Sequence, residues 1–96
     1  MARHDVYRGA GVYLLDCQND DLSGLATRFV VPLLPLGEVP RVARLNPVFT
    51  VDGERVVMAT QLGSSVPKRQ LRDRVTSLAD RHDTIMSAFD VLLTGY

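Results

Sequence analysis

The stretch PVFTVDGERVVMATQL, residues 47–62, constrains the fold of this chain more than any other. Two runs rich in β-branched residues flank Asp52-Gly53, a pair that tolerates the positive φ angles of a two-residue hairpin turn. This predicts an antiparallel hairpin. The alternation in RVVMATQL is imperfect, as in a strand that curves inside a small barrel. Upstream, GVYLLDC (11–17) reads as a strand, and QNDDLSG (18–24) as the polar loop after it. TRFVVPLL (27–34) is nearly continuous in apolar residues, as expected of a strand covered on both faces. Pro32 within it predicts an edge position or a bulge. PLGEVP (35–40) reads as loop.

After GSSVP (63–67) breaks the pattern, KRQLRDRVTSL (68–78) stays open. Leu71, Val75 and Leu78 are spaced for a helix, yet a short strand and turn fit equally. Ser77-Leu78-Ala79-Asp80 resembles a capping box with Asp in place of Glu or Gln. Ile85, Ala88, Phe89, Leu92 and Leu93 then form one apolar helical stripe. Asp80, Asp83, Thr84, Ser87 and Asp90 occupy the other side. Met86 and Val91 fall off the stripe, where a second subunit is one reading. Gly95 stands where a helix commonly ends in a left-handed residue, and Tyr96 closes the chain without a polar tail. Several strands followed by one helix give an α+β, mainly β architecture: a small antiparallel barrel with one C-terminal α-helix, a single domain over 1–96.

A 96-residue chain buries only about 60–65% of its unfolded surface, so a second copy is a natural source of further burial. Lys+Arg and Asp+Glu balance at 11 each, which argues against a general nucleic-acid or membrane-surface binder. One cysteine, Cys17, forms no internal disulfide, and no run reaches the length of a signal peptide or a membrane span. A reduced, cytoplasmic protein is expected. Cys17 reads as a small strand residue rather than a reactive thiol, because Asp16 beside it raises its pKa.

Enzyme signatures are sparse. His4 and His82 have no zinc-site spacing to each other or to Cys17, and His82 reads as a solvated residue on the helix's polar flank. Ser64-Ser65 lack an activating base nearby, and no glycine-rich phosphate loop occurs. Asn19-Asp20-Asp21 offers oxygens to a hard cation, but such loops are common without metal; no metal or cofactor is expected. In KRQLRDR (68–74), Lys68, Arg69, Arg72 and Arg74 face one acid, Asp73, an excess of 4 − 1 = 3. That segment is either a solvated flank or a docking surface for an acidic segment or a phosphate.

The order of several short motifs carries a resemblance. LLDCQNDDLSGLATRFVVPL (14–33) joins a D-x-Q-x-D strand end to an R-x-V-x-P-L strand; PVFTVDGER, SSVP and LADRHDTIMSAFDVLLTGY follow. Together they resemble the CcdB family of plasmid- and chromosome-encoded toxins. The resemblance implies an SH3-like barrel with a C-terminal helix, assembled as a homodimer. It further implies the toxin of a type II toxin–antitoxin system serving plasmid maintenance. Such a toxin is not an enzyme: it binds the A subunit of DNA gyrase, traps the cleaved-DNA complex, and is neutralised by a cognate, CcdA-like antitoxin. Neither a membrane nor sequence-specific nucleic-acid binding is implied.

In gyrase-poisoning members the chain ends Trp-Gly-Ile; here Thr94, Gly95 and Tyr96 stand in those places as the implied gyrase-binding residues. Asp21, Leu22, Asp90 and Leu93 are the implied antitoxin contacts. Two alternatives stay open. Thr94 in place of the tryptophan suggests a homologue that binds antitoxin without poisoning gyrase. The related barrel ribonucleases suggest an endoribonuclease, with Arg8 or Arg28 serving its chemistry.

Overall fold

The computed structural model describes residues 2–9, 11–38 and 40–95. In chain order these form β1 (Asp5–Arg8), β2 (Tyr13–Asp16), β3 (Thr27–Pro35), β4 (Val48–Val51), β5 (Glu54–Met58), β6 (Ser64–Pro67), β7 (Arg74–Ser77) and α1 (His82–Thr94). The hairpin lies where the sequence predicts it. Val51 pairs with Glu54, and Asp52 and Gly53 both take positive φ, 52° and 78°. A type I′ turn demands this, and its twist matches that of the strands it joins.

All pairings are antiparallel, in the order β4-β5-β3-β2-β1-β7, with β6 also on β3. The sheet curls into a half-barrel around one face of which α1 packs. β3 makes the curl possible by changing partner along its outer edge: residues 27–30 pair with β6, residues 33–35 with β5. Pro32 sits at the changeover. The Cys17 amide donates to the Phe29 carbonyl, so by alternation the position of Pro32 directs its nitrogen away from β2. A residue without an N–H therefore occupies the one place where the outer ladder is interrupted. Pro32 is neither in an edge strand nor in a bulge: it marks a seam between two partners, a third solution to the same missing donor.

The apolar run in β3 reflects two covered faces. Val31 and Leu33 join the main core with Val6, Leu15, Phe49, Val51, Val56, Met58, Ile85 and Ala88. Val30 points the other way, into a smaller cluster with Tyr7 and Leu71. Cys17, just beyond β2, is buried in the main core, and burial, then the Asp16 charge, pushes its thiol up to about 12. It is chemically inert in the fold.

The segment 68–78 resolves as the strand alternative: a 3-10 turn at Lys68–Gln70, then β7. The capping box does not form. Ser77 Oγ accepts from the Ala79 amide at 3.1 Å, starting a 3-10 turn at Ala79–Arg81, and α1 begins only at His82. The helix also outruns its bed. Ile85 and Ala88 are buried, Phe89 and its tilted neighbour Phe29 half-buried, while Leu92 and Leu93 are exposed. No helix among the described residues is long and apolar enough to cross a membrane.

Candidate functional site

Gly95 ends α1 in the left-handed region, φ 83°, and its amide donates to the carbonyls of Asp90 and Val91. A residue without Cβ adopts this conformation at no steric cost, and the reversal stops the helix. Thr94 Oγ1 turns back to donate to the Asp90 carbonyl at 2.6 Å. Thr94 and Gly95 are both exposed, and Leu93 is 76% exposed. The last turn of α1 therefore presents Leu93 and its own capped backbone, with the Thr94 hydroxyl occupied inside the helix. Tyr96 lies outside the described residues.

The second group of expected contacts sits on the loop after β2. Asp21 and Leu22 occupy an exposed 3-10 turn, Asp20–Leu22, opened by Asn19, whose side chain accepts from the Asp21 amide. Gln18 holds this loop from beneath. Its Nε2 donates to the carbonyls of Leu22 and Thr27, both at 3.2 Å, and its Oε1 accepts from the Phe29 amide at 3.0 Å. Under that lies an ion pair with both side chains fully buried: Arg28 Nε donates to Asp16 Oδ2 at 2.8 Å. Asp20 stands 3.5 Å from Arg28 Nη2 and accepts from the Arg3 amide at 2.8 Å. Asp20 is thus engaged structurally, and among the described residues no group of three or more His, Cys, Asp or Glu could hold a metal ion.

Arg3 connects the loop to the helix. Its Nη2 donates to Met86 Sδ at 3.2 Å, and the ring of the neighbouring His4 packs 5.1 Å from that of His82. His82, Met86, Asp90 and Leu93 share one face of α1, being spaced by four, four and three residues. Met86 is thereby engaged within the chain, and Val91 lies well round the helix from it. The two do not form one face for a second subunit. Arg3 instead ties the loop to α1 at Met86, one turn before Asp90, through its amide to Asp20 and its Nη2 to Met86.

His4 is strained and buried, at φ 73° with its Nε2 unpartnered. Burial first, then Arg3 and His82, lower its pKa from 6.5; Asp20 opposes them. The unfolded chain therefore takes up the proton more readily than the folded one, and stability falls as pH drops through 6.5. Urea unfolding is expected to show this loss, and His4→Asn, which keeps a residue tolerant of positive φ, is expected to flatten it. An identical pH slope in both proteins would remove His4 from the account.

The sequence reading assigned no structural role to Asp16, Gln18 or Arg3, and gave Arg28 only a catalytic one. The signal for the ion pair was present: one acid in LLDC and one base in TRFVV, each alone inside an apolar strand.

The family model described as CcdB protein matches residues 3–95. The chain belongs to the CcdB family. No curated protein matches it. Membership makes it a toxin of a toxin–antitoxin system. For a CcdB chain the D-x-Q-x-D and R motifs acquire a physical meaning: Asp16 pairs with Arg28, Gln18 pins the loop, and Asp20 fastens it to Arg3.

Proposed function

We propose that this CcdB chain poisons DNA gyrase by engaging its A subunit with the C-terminal end of α1, acts as a homodimer, and is neutralised by a cognate antitoxin. The observation that carries this reading is the uncovered last turn of the helix. An apolar side chain 76% exposed beside a capped helix end has a partner outside the chain as its natural cover. Leu62, exposed in the 3-10 turn Thr60–Leu62 that packs on α1, and Leu92, exposed on α1 itself, supply apolar area for a second copy. Asp21 and Leu22, exposed on the loop that Arg3 ties to α1, and Asp90 and Leu93, exposed on α1, take the antitoxin contact. Thr94 and Gly95, with Tyr96 following, take the gyrase contact.

Purified protein added to gyrase and supercoiled plasmid is expected to accumulate linear, cleaved DNA. No cleavage at high toxin excess overturns the gyrase assignment. One observation favours the second reading, a homologue that binds antitoxin without poisoning: the Thr94 hydroxyl is bonded to the Asp90 carbonyl and offers little to a partner. Normal growth on induction selects that reading. The ribonuclease reading loses one of its two candidates, because a fully buried Arg28 paired to Asp16 reaches no substrate.

A further inference from the structure

We propose that Arg3, His4, Asp20 and His82 form an acid-opened clasp between the N-terminal segment, α1 and the loop 19–25. A proton on His4 draws the Asp20 carboxylate toward the imidazole and frees the turn that bears Asp21 and Leu22. Three parts of the chain meet at His4. Its amide donates to the Asp16 carbonyl at 2.6 Å, and its carbonyl accepts from the Leu78 amide at 2.8 Å. Its ring packs on that of His82, the first residue of α1, with the planes tilted by 56°. Arg3 reaches both ways, its amide to Asp20 Oδ1 at 2.8 Å and its Nη2 to Met86 Sδ at 3.2 Å. Residues 3 and 4 thus join the loop to the helix.

Two buried polar atoms in this cluster lack partners, His4 Nε2 and Arg3 Nε. His4 is 3% exposed. Its ring is tolerated while neutral, but a proton sets a second cation beside the Arg3 guanidinium where water does not reach it. Arg3 from the same segment and His82 from α1 oppose that proton, and Asp20 from the loop favours it. The other charged groups nearby are turned elsewhere. Asp5 pairs with Arg74 at 3.2 Å, Asp16 is sealed against Arg28, and Arg81 lies over the Phe49 ring.

Asp20 is therefore the acid that answers a charged His4, and its side chain, 58% exposed, has room to turn. A charge-assisted bond to the imidazolium replaces weaker ones. What Asp20 gives up is the Arg3 amide and its 3.5 Å contact with Arg28 Nη2. The 3-10 turn Asp20–Leu22 then loses its anchor to the N-terminal segment, while Gln18 still holds Leu22 and Thr27. The loop loosens locally and the sheet stays intact. The bearing of this clasp on antitoxin binding rests on the reading above, which places Asp21 and Leu22 in that contact.

The test is an NMR titration of the full chain from roughly pH 7.5 to 5, following the imidazole signals and the backbone amides. His4 is expected to titrate below 6.5, and the amides of Arg3, Asp21 and Leu22 are expected to shift with the same midpoint. His4→Asn removes that response. Asp20→Asn keeps an acceptor for the Arg3 amide but no charge: it is expected to move the His4 midpoint lower and to abolish the shifts at Asp21 and Leu22. Four results overturn the proposal. They are a His4 ring that takes no proton by pH 5, loop amides that stay still while it titrates, shifts that persist in either variant, or loop shifts confined to the carboxylate range near about 4. The titration involves no partner, so its failure leaves the antitoxin reading standing, and a failure to bind antitoxin leaves the clasp.

Discussion

Deleting residues 94–96 is expected to abolish growth arrest on induction while leaving the protein folded. The fold has little stake in Thr94 and Gly95: both are exposed, and a Cβ built on Gly95 meets nothing within 4 Å. What the chain itself loses is the cap, the Gly95 amide to the Asp90 and Val91 carbonyls and the Thr94 hydroxyl to Asp90. Fraying of one exposed turn costs about 1 kcal/mol. The partner's loss is larger. Interfaces concentrate their energy in a few central residues, each costing about 2 kcal/mol or more when removed, which is roughly thirtyfold in affinity. Leu93→Glu supplies a second variant with the backbone intact. It sets a charge in the most exposed apolar position of the helix and is expected to be equally harmless to cells. Toxicity on induction and the thermal midpoint are read together. A truncated protein that still arrests growth would move the activity away from the helix end altogether.

The sequence made some of this legible because the relevant forces are local. Asp52-Gly53 fixes its turn through its own backbone preferences, so the hairpin needs no tertiary information. Val30 and Val31 announce two covered faces because adjacent apolar residues on a strand must point in opposite directions. Elsewhere the deciding partner was distant. The Asp16–Arg28 bond spans twelve residues, and a lone charge in an apolar run does not name its counterpart. The stripe from Ile85 to Leu93 gives a helix its buried side but not the length of its bed, so the exposure of Leu92 and Leu93 follows only from where the sheet ends. At Ser77 the hydroxyl found the Ala79 amide first, and a 3-10 turn displaced the helix start that the capping pattern suggested. The left-handed helix end at Gly95 is legible in the sequence; the network of Asp16, Gln18 and Arg28 that braces the loop after β2 is not.

Replacing Arg28 with Met is expected to be the most damaging single change in the molecule. Arg28 is the largest of the fully buried side chains, and its Nε bond to Asp16 joins two groups with no exposed surface. Met fills much of the same volume, so the loss is electrical rather than a cavity. It leaves the Asp16 carboxylate buried with only the Gln18 amide donating to its Oδ1. Breaking a buried pair from one side costs about 3–5 kcal/mol, a large share of the roughly 5–15 kcal/mol that holds a domain together. For a chain of this size that lowers Tm by at least about 12 °C. The pair need not be stabilising in itself, since both ions were taken out of water and Arg28 Nη1 is buried with no partner. Asp16→Leu combined with Arg28→Met removes both charges and that orphaned donor together. The double variant is therefore expected to regain most of the loss, though the Arg28–Asp20 and Asp16–Gln18 contacts go with it. Chemical denaturation of the two variants separates the effects. A loss below about 1 kcal/mol for Arg28→Met would mean that water reaches Asp16 and the pair is not sealed. The consequence reaches the surface, because Gln18 and Asp20 link this pair to the loop bearing Asp21 and Leu22. Backbone amides across 19–25 are expected to exchange faster in Arg28→Met than in the double variant, as the unpaired Asp16 draws solvent in beneath them.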